Sequence, residues 1–416
     1  MLEGAYVTWT DDAERSAAVG LRCIDCGLGF ALDYLRGCPR CPGLLVVEYD
    51  LDMAAKLGIG NGPGGGIWRW DRLLPPTALD HRVTLGEGNS PLLPARRLAD
   101  RLGLRDVRLK LEGVNPTGSM KDRSSATAIA AALGFGFRRV GCVSSGNMGS
   151  SIANYAARAG LRAHVFSAAY ASENQLDHMA AGTVDMHVYD GPYDAMAAAI
   201  QPVFDDYLAF DAGSSPNPYN SEGQKTLAFE IVEQLGERSP DVVVYPLGAG
   251  DLFLAATRGF EQYAYAGFTD FAPRPVVAQS RASASVVRAL ESGGEYESVE
   301  AGDSIAGGVL VGDMGAKGRL ALRKLRQVGG LGAAVDDDEI AAWQTWLARN
   351  EGVWAGPTAC VVLPALEQLA ASGAIGRDAS VVVVLSETGL KGGQPPHRPP
   401  TVEASEAVLR ELFGAA

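Results

Sequence analysis

The stretch Asn115-Pro116-Thr117-Gly118-Ser119-Met120-Lys121-Asp122-Arg123 lies between a strand-like run, Val107 to Glu112, and a helix-like run, Ser124 to Leu133. Pro116 and Gly118 mark a tight turn between them. Lys121 therefore stands at a strand-to-helix corner, near a first helical turn whose outward backbone N–H groups favour anions. A partly desolvated amine in such a place loses its proton more readily and can condense with an aldehyde to a Schiff base. Position alone does not decide this, because a lysine at a helix start is ordinarily solvated.

Three further corners strengthen the reading. The strand-like run Val140 to Val143 ends in Ser144-Ser145-Gly146-Asn147-Met148-Gly149-Ser150-Ser151. Asp241 to Tyr245 ends in Pro246-Leu247-Gly248-Ala249-Gly250-Asp251, and Ala379 to Leu385 ends in Ser386-Glu387-Thr388-Gly389-Leu390-Lys391. Open parallel α/β sheets bind ligands outside the carboxyl ends of their strands, so four such corners can converge on one ligand.

The chain beyond these corners alternates strand and helix, which implies a mostly parallel sheet covered on both faces. Helices are expected over Met148 to Arg158, Gly223 to Leu235, Asp337 to Glu351 and, as one piece, Thr358 to Ala371. Gly60 to Gly66 reads as a flexible linker, since no strand precedes it and no lysine closes it. Pro395, Pro396, Pro399 and Pro400 precede an expected last helix, Glu403 to Leu412.

With 416 residues, 47% of them hydrophobic, the chain is long enough for two lobes. No apolar run approaches the ~20 residues that cross a membrane. The first twenty residues hold Asp11, Asp12 and Glu14 and no hydrophobic block, so the expected location is the cytoplasm. A net charge of −13 without a basic stripe argues against a nucleic-acid partner.

Cys23, Cys26, Cys38 and Cys41 form two Cys-x2-Cys pairs joined by a short loop, a spacing that suits tetrahedral thiolate coordination of zinc. A ribbon without metal and a pair of disulfides remain as alternatives. Four thiolates leave no open position, so any zinc is structural. Cys142 and Cys360 sit in apolar surroundings and read as core residues.

Taken together, NPTGSMKDR, SSGNMGSS, NPYNSEGQKTLAFE, PLGAGD and LSETGLK resemble the threonine synthase family, within the fold-type II enzymes that use pyridoxal 5′-phosphate. The motifs occur in family order from about Thr84 to Gly392. The resemblance implies a two-lobed α/β fold like that of tryptophan synthase β, with mostly parallel sheets and an N-terminal zinc-ribbon-like segment. The expected division is a ribbon over 1–50, a lobe with the Schiff-base lysine over 51–240, a lobe with the phosphate loop over 241–400, and a tail over 401–416. It implies a homodimer acting on a small amino-acid substrate.

The resemblance also assigns roles. Lys121 carries the aldehyde and then serves as general base and acid. Gly248, Ala249 and Gly250 cradle the cofactor phosphate, and Asp251, awkward beside a dianion, is read as the cap of a helix from Leu252. Asn147 addresses the ring oxygen and Ser386 the ring nitrogen. Ser144, Ser145 and Gly146 meet the substrate carboxylate; each serine has the alternative of merely capping a helix.

Departures from the family pattern gather at the substrate end. Asn220 stands where family members usually have an arginine that grips the substrate phosphate, a loss of roughly 2–3 kcal/mol for one charge-assisted contact. Met148 replaces a threonine, Ala249 an asparagine, Met120 a phenylalanine, and Glu387-Thr388 a glycine-histidine pair. Ser215 remains as a neutral donor. The expectation is a threonine synthase-like lyase or replacement enzyme for an amino acid with a β- or γ-leaving group, such as O-phosphoserine or an acylated serine or homoserine. Ordinary threonine synthesis from O-phosphohomoserine is the alternative. A non-catalytic zinc-ribbon interaction protein is a reading of another class, against which Lys121, Asn147 and the glycine loop all count.

Overall fold

The computed structural model describes residues 16–391 apart from 61, 145, 170, 183, 192, 208 and 214–216. The expected tail helix at Glu403 to Leu412 lies outside the described residues. The strands in chain order are β1 (Ala18–Cys23), β2 (Gly29–Phe30), β3 (Leu45–Tyr49), β4 (Leu92–Pro94), β5 (Asp106–Leu111), β6 (Arg139–Val143) and β7 (Arg162–Ala168). They continue with β8 (Val184–Tyr189), β9 (Phe210–Asp211), β10 (Val242–Pro246), β11 (Arg274–Ser280), β12 (Leu331–Val335) and β13 (Ser380–Leu385).

These strands make three sheets, ordered β2-β1-β3, β12-β11-β10-β13-β5-β4 and β8-β7-β6-β9. The first is antiparallel and carries the four clustered cysteines at its end. The other two are parallel except for the β4–β5 pair. Parallel order demands helical crossovers, and the buried valines of β10 and β13 show that both sheet faces are covered.

The sheets do not follow the division at residue 240 expected from sequence. β4 and β5 precede Lys121, yet they belong to the six-stranded sheet built mainly by the C-terminal half. β5 pairs with β13 along its full length, from Asp106↔Ser380 to Leu111↔Leu385, and buries Val107 and Leu109. The Lys121 corner is thus a product of both halves of the chain.

Three local expectations change. The helix expected from Gly223 starts at Pro218, because the Asn217 side chain accepts the Tyr219 N–H at 3.0 Å and Pro218 suits a first turn. The single helix expected over Thr358 to Ala371 is two pieces, Pro357–Cys360 and Val362–Ala371. Pro364 explains the break, since it cannot donate to the carbonyl of Cys360. The glycine run 60–66 is no free linker: the Gly62 N–H donates to Arg69 O at 2.8 Å. A Cβ on Gly66 would lie 2.6 Å from Glu87 O. The run folds back onto the helical turn Gly66–Leu73, whose Trp68 and Trp70 are buried.

The helix Lys121–Gly134 is alanine- and serine-rich and almost wholly buried. Its neighbour, the helix Pro218–Gln234, approaches so closely that a Cβ on Gly223 would lie 1.8 Å from Arg123 O. A fully buried ionic network fixes this contact. Arg123 makes two bonds of 2.8 Å to Glu112 and two of 3.1 and 3.2 Å to Glu230. Lys110 donates to Glu230 at 2.5 Å and to Ser90 O at 2.7 Å. Burial alone would raise both carboxyls, but Arg123 pulls Glu112 and Glu230 below the usual carboxylate range.

Such depressed groups contribute stability above the ordinary carboxylate range near ~4.3 and lose it as pH falls. Glu230→Gln leaves Lys110 without its partner charge and is expected to cost about 3–5 kcal/mol in urea unfolding at pH 7. The difference from wild type should shrink as pH drops below about 4; a difference independent of pH would contradict the network's role.

Candidate active site

The six-stranded sheet places the ends of β10, β13 and β5 side by side. The end of β6 comes from the other parallel sheet. The four polar corners noted in the sequence follow these four strands, so two sheets contribute strand ends to one site, joined by the Asn147–Glu387 hydrogen bond and the Asp251 charge acting on Lys121. Backbone bonds lock the Lys121 and Ser386 corners together. Met120 N donates to Ser386 O at 2.9 Å, Thr388 N donates to Gly118 O at 3.0 Å, and Ser119 bridges to Glu387. Gly118 has φ +82, and a Cβ there would strike Thr388 at 2.8 Å.

Lys121 begins its helix and is buried deeply enough that its amine is held below the ordinary lysine value; burial drives this, Asp251 opposes it and Lys317 adds to it. That is the state a nucleophilic or proton-accepting amine needs. The neighbouring Asp122 anchors the turn. It accepts from Thr117 N at 2.7 Å, Thr117 Oγ1 at 2.5 Å and Ser151 Oγ at 2.6 Å. The last bond ties the lysine helix to the helix Asn147–Arg158.

Asn147 is the first residue of that helix, and Gly146 is its cap. The Asn147 amide nitrogen donates to Glu387, while its Oδ1 is buried without a partner. Ser144 is nearly buried, and its hydroxyl accepts the Gly146 N–H at 3.3 Å. Ser386 is buried beside the lysine turn. Ser145 and Ser215 lie outside the described residues.

The loop Gly248-Ala249-Gly250 opens the helix Asp251–Tyr265. Gly250 sits at φ +91 as the cap and offers no side chain, so the first N–H groups of a fifteen-residue helix are left for an anion. Gly248 is forced by packing, since a Cβ would lie 2.5 Å from Gly308 O. Asp251 is not the cap expected from sequence but the first helical residue. Its Oδ1 pairs with Lys317 at 2.5 Å, and its Oδ2 is buried without a partner. Lys317 thereby offsets the carboxylate's negative charge at the loop. Nothing in the local sequence of the helix Gly315–Gln327 points to Lys317; only the fold brings it to the loop.

The substrate-end residues are placed differently. Asn220 donates its amide nitrogen to Ala212 O at 3.1 Å and to Gly213 O. Met148 is buried, its sulfur 4.0 Å from the Ser125 hydroxyl inside the helix contact. Ala249 is half-buried in the loop. Glu387, named above as a departure, and Lys391, quoted only as part of a motif, both lie at these corners. Burial pushes the Glu387 carboxyl up, against bonds from Asn147 and Thr358.

The residues fit an aldehyde cofactor with a phosphate: a desolvated amine, an uncapped helix start with a nearby cation, and an asparagine with an unfilled acceptor. The four ribbon cysteines fit a metal ion. Their sulfurs lie within 4.8 Å of one another, with Cys23–Cys41 at 3.5 Å and Cys26–Cys38 at 3.7 Å. Tetrahedral zinc with Zn–S ≈ 2.3 Å separates sulfurs by about 3.8 Å. All six cysteines are unbonded to one another, and the four ribbon sulfurs form one cluster.

A family profile described as "Pyridoxal-phosphate dependent enzyme" matches residues 83–387. The threonine synthase of Methanosarcina acetivorans is 33% identical over 95% of this chain and 99% of its own length. That of Halalkalibacterium halodurans is 34% identical over 83% of this chain and 94% of its own. Among solved structures, maize serine racemase aligns with TM-score 0.62 at 17% identity, over 78% of this chain and 92% of its own, and shows the same fold.

Removing Lys317 leaves Asp251 as an uncompensated carboxylate at the anion loop. Lys317→Ala is expected to weaken retention of pyridoxal phosphate by about 10–100-fold in equilibrium dialysis, from the 1.5–3 kcal/mol of a charged hydrogen bond. Unchanged retention would remove Lys317 from the phosphate site.

Proposed function

The chain belongs to the pyridoxal-phosphate-dependent enzyme family and, within it, to the threonine synthases; on that footing we propose that it is a lyase or replacement enzyme whose substrate has shifted away from O-phosphohomoserine. The observation that carries the shift is Asn220. Its amide nitrogen is committed to two backbone carbonyls, so it gives no donor where the resemblance puts a phosphate-gripping arginine. Met148, which replaces a family threonine, turns its sulfur into a helix contact.

When bound, pyridoxal phosphate supplies an electron-withdrawing ring that acidifies the C–H bond beside a substrate's amino group. The remaining roles belong to this chain's residues. The loop 248–250 and Lys317 hold the cofactor phosphate. Asn147 and Ser386 orient the ring, and a serine hydroxyl leaves the ring nitrogen free of a forced charge. The N–H groups and hydroxyls around Ser144 to Gly146 hold the substrate carboxylate at a helix start. Lys121 Nζ takes the proton from the substrate's α-carbon and returns one after the β- or γ-group departs. The buried turn around it excludes water from that exchange.

Candidate substrates are O-phosphoserine and acylated serine or homoserine, with water or another nucleophile completing a replacement. The second reading, threonine from O-phosphohomoserine, is favoured by the relatives' activities and by the presence of an amine, that of Lys391, at the site. We further propose that the ribbon holds a structural zinc ion.

Phosphate release from O-phosphohomoserine, beside a mass-detected screen of other leaving-group amino acids, separates the two readings. Little or no release with turnover of another substrate is expected, and Asn220→Arg should improve phosphohomoserine binding by about tenfold or more. Efficient threonine formation by the wild type would overturn the shift. Lys121→Ala, expected to lack visible cofactor absorption, serves as the blank. Elemental analysis should give about one zinc per chain, lost with a Cys38→Ser, Cys41→Ser double substitution; a metal-free native protein would leave an empty ribbon.

A further inference from the structure

Lys391 closes the motif that begins at Ser386, and its side chain runs across the turn that presents Lys121. A Cβ built on Gly118 would lie 3.0 Å from Lys391 Cδ and 3.3 Å from its Cγ. The amine at the end of this stem is buried, and no hydrogen-bond partner accepts from it among the described residues. A buried ammonium with no acceptor is costly, and a native fold rarely leaves one without a reason.

The surroundings show why no internal partner forms. Asp122, whose charge acts most strongly on the amine, already accepts three bonds from Thr117 and Ser151. Glu387 accepts from Asn147 and packs on Gly356, where a Cβ would lie 2.4 Å from its Oε1. Both carboxyls act on the Lys391 amine through charge alone, and His178, on the helix Glu173–Ala180, senses the lysine in turn. Glu387 binds Asn147 and acts on the amine through charge, so the amine stands on the asparagine side of the site.

We propose that Lys391 is the cation of an anion subsite that receives the distal acidic group, phosphate or carboxylate, of the amino-acid substrate. The proposal rests on the reading of this cleft as the site of an amino-acid-converting enzyme. It names what that reading lacks: with Asn220 committed to backbone, the distal anion is gripped from the Gly118 side of the cleft instead. Phosphate and carboxylate share the chemistry of an acceptor for three N–H donors.

Burial lowers the amine to about 8, against Asp122 and Glu387. The cation is therefore present below that value and lost as pH rises through it. Affinity for a distal anion should fall across the same range, and Asp122, Glu387 and His178 are the titratable groups facing it.

The experiment uses the cofactor-loaded protein and reads amino-acid binding from the change in its visible spectrum, which needs no turnover. Ligands are O-phospho-L-serine, L-glutamate and L-alanine. Lys391→Gln is expected to weaken the first or the second at least tenfold, to leave L-alanine within twofold, and to abolish the pH step near 8. Which of the two weakens identifies phosphate or carboxylate. Lys391→Arg should keep most of the affinity and guards against a folding defect in Lys391→Gln. Equal weakening of all three ligands, or of none, overturns the subsite. Failure of all three to perturb the wild-type spectrum overturns the amino-acid-enzyme reading itself, a distinguishable result.

Discussion

The bidentate grip of Arg123 on Glu112 and Glu230 is the constraint on which the site depends. Arg123 is two residues from Lys121, on the same first helical turn. Its guanidinium is held by a residue at the end of β5 and a residue on the helix Pro218–Gln234. Because all three charges are wholly buried, none can leave without stranding the others. The turn that carries the Lys121 amine is thereby fixed to the sheet on one side and to a helix on the other. Gly223 permits that helix to come close enough for the network to close.

Fixing the turn lets each neighbour tune it. Burial lowers the Lys121 amine, Asp251 restrains the drop, and Lys317 keeps Asp251 from dominating an anion loop. The same arrangement separates two ends of the cleft. The phosphate-loop end is polarised by an uncapped helix start and Lys317. The other end holds Asn147, Glu387 and Lys391, of which Glu387 departs from the pattern the chain resembles. A family fold sets where a ligand lies; these side chains set which ligand is accepted.

The ribbon is not a loose appendage. Tyr34 stacks on Phe210 at 4.6 Å and accepts from Asp211 N at 2.8 Å, while Tyr219 donates to Asp33 O at 2.9 Å. These contacts brace the residues on either side of 214–216. Tyr49 donates to the buried Glu222 at 2.7 Å and ties the sheet of β1 to β3 to the same helix that carries Glu230. Asp25, beside the cysteines, reaches Arg323 at 3.3 Å on the helix that bears Lys317. The cysteine segment therefore touches structure connected to both ends of the cleft.

The sequence alone determined the alternation of strand and helix, the four corners, the paired cysteines and the family, because these depend on local rules: turn residues, periodicity and short motifs. It also exposed Asn220 as a departure. Only the tertiary structure decided that β5 joins the sheet of the C-terminal half, that Asp251 is a paired first-turn residue and not a cap, and that Lys317 and Lys391 belong to the site. Each of these rests on a contact between residues far apart in the chain. Local sequence carries no record of such a contact, since burial and pairing of a charge are set by what the completed fold packs around it.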